Sequence, residues 1–204
     1  HLTFEISGQA AYYHDCLEGY VDTLTVSNPH EMTWIYRTRK KNDRIDARKQ
    51  AVLLSIGEIP KVHIPCMEVR QWRTTIQHRH KTVNRIVSLK NRIRALIKNH
   101  GIFQPQHKGS WWKKANIQWM RVLSASEVVT AEQLWRLQLA DLLDALQLLQ
   151  KQCQSLTRYL DQYLDAQPGG RLLMSIPGVG PRTAEAVLAY TDTIERFNRT
   201  KQYC

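Results

Sequence analysis

The alternation of apolar and polar positions opens the chain as a strand, a helix and a second strand. Leu2-Thr3-Phe4-Glu5-Ile6 is rich in β-formers, and Ser7-Gly8 breaks it. Residues 9–20 read as helical, and Val21–Val26 reads as a second strand ended by Ser27-Asn28-Pro29. Strand, helix and strand in so few residues predict a parallel pair with a crossover helix. A helical pattern follows from about Pro29 to Ser55, with a break near Arg39-Lys40-Lys41. Ile59–Pro65 is an extended connector held open by two prolines.

The second half of the chain is governed by helical periods. Glu68–Asn99 reads as one long helix stopped at His100-Gly101. Its apolar positions, among them Trp72, Ile76, Val83, Ile86, Ile93 and Ile97, form an imperfect stripe between cations. Residues 102–121 lose the pattern at Pro105 and Gly109 and gather Trp111, Trp112 and Trp119 among lysines. Packing of that loop onto a core is the expected role, and stacking on bases the alternative. Trp135, Leu139, Leu142, Leu146, Leu149, Cys153, Leu156, Leu160 and Tyr163 then alternate in steps of four and three. That heptad seam predicts a coiled coil or a long helical hairpin, within the chain or between subunits. A homo-oligomer through the seam is the expectation, and Pro168-Gly169-Gly170 is read as the end of the helix. The remainder is a helix, a Gly-rich turn and a helix. The plan is thus 1–65, an α/β domain; 66–121, a basic helix and Trp-rich connector; 122–168, a coiled-coil helix; and 169–204, the start of a further domain.

Charge sharpens this plan. Residues 1–36 hold five acids and no Lys or Arg, whereas residues 37–121 hold 21 Lys and Arg against four acids, a net of +17. A basic block beside acidic or neutral ones is the footprint of a polyphosphate partner, here DNA or RNA. Candidate contacts are Lys41, Arg44, Arg48, Arg73, Arg79, Arg85, Arg92 and Arg94. No run of the sequence is apolar for long enough to cross a membrane, so no membrane partner and a cytoplasmic location are expected. Cys16, Cys66, Cys153 and Cys204 are scattered without a Cys-x-x-Cys pair, which argues against a zinc knuckle or a disulfide framework.

Two motifs carry chemistry. In Lys41-Asn42-Asp43-Arg44-Ile45-Asp46-Ala47 the two aspartates are three apart and share one helix face. Like charges so close repel unless a cation lies between them or both project into water. Mg2+ or Mn2+ suits such a pair, because magnesium takes one or two carboxylates and fills its shell with water and phosphate oxygens. Glu5, at the end of the first strand, could add a third carboxylate, and Lys41, Arg44, Arg48 and Lys49 could hold a phosphate nearby. Ile176-Pro177-Gly178-Val179-Gly180-Pro181-Arg182-Thr183 has the signature of a helix-hairpin-helix. Gly178, Val179 and Gly180 would turn backbone amides toward a DNA phosphate, with Arg182 and Thr183 extending the contact. The contact reads backbone rather than sequence.

Phe4-Glu5-Ile6-Ser7-Gly8, Val26-Ser27-Asn28-Pro29, the Lys41–Ala47 run and Ile176–Gly180, in this order, resemble the DEDD-type transposases of the IS one-ten family, which are bridge-RNA-guided DNA recombinases. The resemblance implies a bacterial or archaeal protein with a partial RNase H-like (RuvC-like) α/β domain, followed by a mainly α-helical region with a coiled coil and a helix-hairpin-helix. It implies that Glu5, Asp43 and Asp46 are the second, third and fourth acids of a metal-binding tetrad. The first acid is expected upstream of His1 and a catalytic serine downstream of Cys204. It further implies DNA and a guide RNA as partners. The chain alone is accordingly expected to bind nucleic acid without cutting it. A RuvC-like structure-specific endonuclease, or a non-catalytic nucleic-acid-binding relic, is the alternative.

Overall fold

Leu2–Glu5 (β1) and Leu24–Ser27 (β2) pair in parallel, Leu2 opposite Leu24 and Glu5 opposite Ser27. This is seen in a computed structural model that describes residues 1–32, 42–125 and 130–197. Between the strands lies α1 (Ala10–Leu17), shorter than the expected helix because the chain tightens into a 3-10 turn over Glu18–Tyr20. Ala10 is buried, and Tyr13 meets Phe4 of β1 edge to face. Ser27 is fully buried in β2, and its hydroxyl donates to the Phe4 carbonyl at 3.2 Å. The proline-bounded connector runs along the other edge of β2, where the Val62 amide donates to the Val26 carbonyl at 2.8 Å.

Pro29–Met32 is a 3-10 turn, and the next described helix is α2 (Asp43–Ser55). The break expected at Arg39-Lys40-Lys41 lies outside the described residues. The Asn42 side chain caps α2 by accepting from the Arg44 amide at 3.0 Å. Asp43 and Asp46 occupy the first turn, where the helix dipole favours negative charge. Leu53 of α2 packs with Met32 and Ile59 in a small core.

The chain divides into two units. The one just described holds residues 1–67 and the last described residues from Thr193, and the other holds Glu68–Asp192. The second is built on two long helices, α3 (Met67–Asn99) and α5 (Trp135–Ala166), with α4 (Lys114–Ala125) against them. Ile93 and Ile97 of α3, Met120 of α4, and Leu139, Leu142, Leu143 and Leu146 of α5 form one core. Trp72 and Ile76 of α3 form another with Leu160 and Leu164 of α5. The start of α3 therefore meets the end of α5, so the two run antiparallel. His100 stacks on Trp135 at one end, and Trp72 meets Tyr163 at the other.

Much of the leucine seam is thus covered within the chain. Leu149, Cys153 and Leu156, midway along it, are half-buried, while Leu143 and Leu164, outside the strict heptad, are buried. A straight helix drifts about 20° per heptad, which moves the buried line off the 4-3 register. The structure forms a helix at Lys114–Ala125 where the sequence pattern suggests only a broken connector. Fully buried Asn116 anchors the preceding loop by donating to the carbonyls of His107 and Ser110 and accepting from the His107 amide. Trp111, Trp112 and Trp119 pack onto the larger core.

Pro168-Gly169-Gly170 is the start of α6 (Pro168–Met174) rather than a plain stop. Gln167 alone is extended between the two helices, and Pro168 suits the first helical turn. The glycines let α6 pack closely. A Cβ on Gly170 would lie 2.6 Å from the Leu164 carbonyl oxygen, and one on Gly169 would lie 2.8 Å from a Leu188 methyl. Gly170→Ala is therefore expected to destabilise this unit by about 1–3 kcal/mol. Gly169→Ala should cost less, because a leucine tip can turn away and a carbonyl cannot. Chemical denaturation of the two variants checks the ranking, and equal losses would contradict it.

Candidate functional site

The length of β1 and one face of α2 border an open cleft of about 620 Å³ lined by Glu5, Asp43, Asp46, Ala47 and Gln50, among others. The 3.6-residue period puts positions 43, 46, 47, 50 and 54 of α2 on that face. The parallel pairing puts Glu5 at the last register position of β1, opposite Ser27. Gln50, itself buried, donates from its amide nitrogen to a Glu5 carboxylate oxygen at 2.6 Å. Lys49 stands 3.9 Å from Asp46. Arg44 and Arg48 are exposed on α2 and are not among the cleft residues. Lys41 lies outside the described residues.

The donors in this cleft are carboxylate oxygens, the ligand type that Mg2+ and Mn2+ prefer. Among the described residues, no three His, Cys, Asp or Glu side chains converge closely enough to hold one ion together. The fit is therefore in donor chemistry rather than in convergence: one or two of these carboxylates would reach a single ion, with water and phosphate completing its shell.

The basic helix divides its cations between two tasks. Arg85 and Arg92 are exposed. Arg94 donates to Asn91 at 2.7 Å. Arg73 instead donates from Nε to the Ala189 carbonyl at 2.6 Å and lies over the Tyr190 ring, both on α7 (Pro181–Thr191). Arg79 is paired with Glu185 of α7, which is fully buried.

The turn between α6 and α7 holds Gly178 at φ +87°, a left-handed conformation that favours glycine. The Val179 amide closes the turn onto the Ile176 carbonyl at 3.0 Å, while the Thr183 amide starts α7 on the Gly180 carbonyl. Gly178 and Thr183 are exposed, whereas Val179 and Gly180 are half-buried, Val179 against the smaller helical core. Arg182 donates to Glu185 at 2.9 Å and is also paired with Asp161 of α5. Burial pushes the Glu185 carboxyl above its ordinary range, opposed by the neighbouring Arg79 and Arg182 guanidiniums. Burial also lowers Arg182, with Glu185 opposing and Arg79 adding to the effect.

Residues 170–204 match the transposase IS116/IS110/IS902 family. The match supports an insertion-sequence transposase, and with it DNA recombination and DNA binding in the general sense. No curated protein matches the chain. Among the described residues, no helix is long and apolar enough to cross a membrane.

Sequence reasoning missed Gln50, Asp161, Glu185 and Asn116. Gln50 had a signal, since it lies four residues after Asp46 on the same helix face. Glu185 had a weaker one, three residues after Arg182.

Proposed function

We propose that this chain carries part of the catalytic apparatus of a DEDD-type insertion-sequence transposase, with an RNase H-like N-terminal region and a helix-hairpin-helix near the C-terminal end. The observation that carries the reading is the cleft shared by Glu5, Asp43 and Asp46, in a chain whose residues 170–204 match a transposase family. In this reading Glu5, Asp43 and Asp46 would supply the carboxylates for Mg2+ or Mn2+, one or two of them to any single ion, with water and phosphate completing its shell. The bound ion supplies Lewis-acid activation of phosphodiester oxygens. Gln50 fixes the Glu5 carboxylate through its 2.6 Å hydrogen bond. Arg44 and Arg48, exposed on the cleft helix but outside the cleft lining, draw in the phosphate backbone. The α6–α7 turn holds a second stretch of backbone. RNA guidance follows from the resemblance of the motifs, and assembly between subunits would use the half-buried middle of the leucine seam, Leu149, Cys153 and Leu156, since the rest is covered within the chain.

Mn2+ binding to the purified chain, followed by paramagnetic resonance of the free ion, tests the cleft. Asp43→Asn should weaken binding strongly, and Gln50→Ala, which removes the hydrogen bond to Glu5 without removing a ligand, by about 10–100-fold. Absence of saturable binding, or binding indifferent to Asp43→Asn, would remove the metal site from the proposal.

A further inference from the structure

Four side chains from three helices form a charged network in the helical unit: Arg79 of α3, Asp161 of α5, and Arg182 and Glu185 of α7. The network has an inner and an outer half. Glu185 is fully buried and Arg79 is 13% exposed, whereas Asp161 is 44% and Arg182 is 35% exposed. Two cations and two anions balance. Glu185 already serves both guanidiniums at the buried side, so Asp161 neutralises the charge that Arg182 turns toward solvent.

We infer that Asp161 is a built-in stand-in for a nucleic-acid phosphate: it holds Arg182 in the free chain and yields it to a phosphodiester when nucleic acid reaches the α6–α7 turn. The inference rests on the reading of that turn as a backbone contact. A carboxylate and a phosphodiester offer a guanidinium the same chemistry, a delocalised anion that accepts parallel N–H donors. The exchange is feasible because the half-exposed Asp161–Arg182 pair contributes less net stability than the buried Arg79–Glu185 pair, which is costly to open. Glu185 keeps its hold on Arg182 throughout, so the guanidinium stays aimed beside the turn while its outer partner changes. The result is a contact that remains neutral until a phosphate displaces the chain's own anion.

Asp161→Asn keeps the shape of the side chain and removes the competing charge. It should tighten binding of the chain to duplex DNA by about two- to fivefold, the equilibrium equivalent of one partly exposed ion pair. Arg182→Ala should weaken binding, and in that background Asp161→Asn should have no further effect. Asp165→Asn, one turn along α5 at an exposed position, removes the same charge away from Arg182 and should leave affinity nearly unchanged. Fluorescence anisotropy with a labelled duplex reads all four variants against the original chain. Unchanged or weaker binding by Asp161→Asn, or equal tightening by Asp165→Asn, would overturn the inference while leaving salt-sensitive DNA binding by the original chain intact. A chain that binds no DNA would overturn the reading of the turn itself, and the inference with it.

Discussion

Glu185→Ala is expected to cost the helical unit about 3–5 kcal/mol. Glu185 is fully buried and accepts from Arg79 and Arg182, which reach it from two different helices. Removing it leaves two guanidiniums facing one another, and Arg79 is too enclosed to recover its solvation. The loss should exceed that of Glu185→Gln, which keeps an acceptor and much of the volume. Urea denaturation followed by circular dichroism checks the ranking, and a loss below about 1 kcal/mol for the alanine variant would mean that the guanidiniums find water instead. The pH dependence has a definite sign. The folded-state value of Glu185 is raised, so the folded chain holds that proton to higher pH than the unfolded chain does. Its contribution to stability therefore declines as pH rises from the ordinary carboxyl range through the raised value. Glu185→Gln should flatten that decline.

The same residue marks where sequence reasoning stops. Apolar spacing was enough to find α3 and α5, since Trp72, Ile76, Ile93 and Ile97 recur at helical intervals and the leucines at heptad ones. It could not say that Leu149 and Leu156 stay half-buried while Leu143 and Leu164 join the heptad residues Leu139, Leu142, Leu146 and Leu160 in the core, because the strict heptad and the straight helix diverge along α5. Helix α4 was hidden by the opposite problem. Its anchor is polar Asn116, whose partners are loop carbonyls that no periodicity encodes. Pro168-Gly169-Gly170 looks like punctuation in the sequence, yet it serves as a helix start and a close contact.

At the cleft, Asp43 and Asp46 were legible from their spacing, whereas the Gln50–Glu5 bond joins residues 45 apart and is fixed by the sheet and α2 together. Arg79 and Arg182 illustrate the limit of charge counting. Composition ranks them with every other cation in the chain, and only the fold reveals that a buried carboxylate 106 residues beyond Arg79 claims it.

That division of cations sets the second large effect, the response of nucleic-acid binding to salt. If six to ten phosphates are neutralised, affinity for duplex DNA should fall by about a thousandfold to a hundred-thousandfold between 50 and 200 mM salt. The block from residue 37 to 121, with its net of +17, supplies enough charge for this, although its members are not equivalent. Arg85 and Arg92 are exposed on α3, so replacing both with alanine should lower the slope of log affinity against log salt by about 2 and weaken all sequences alike. Arg73→Ala removes the same kind of charge from the same helix, but its guanidinium is committed to the Ala189 carbonyl and the Tyr190 ring. It should lower stability and leave the salt slope nearly unchanged. A flat salt response by the original chain would sink the nucleic-acid reading. A slope that fell equally for Arg73→Ala would show instead that the whole helix acts through its summed charge, with no particular face presented to the backbone.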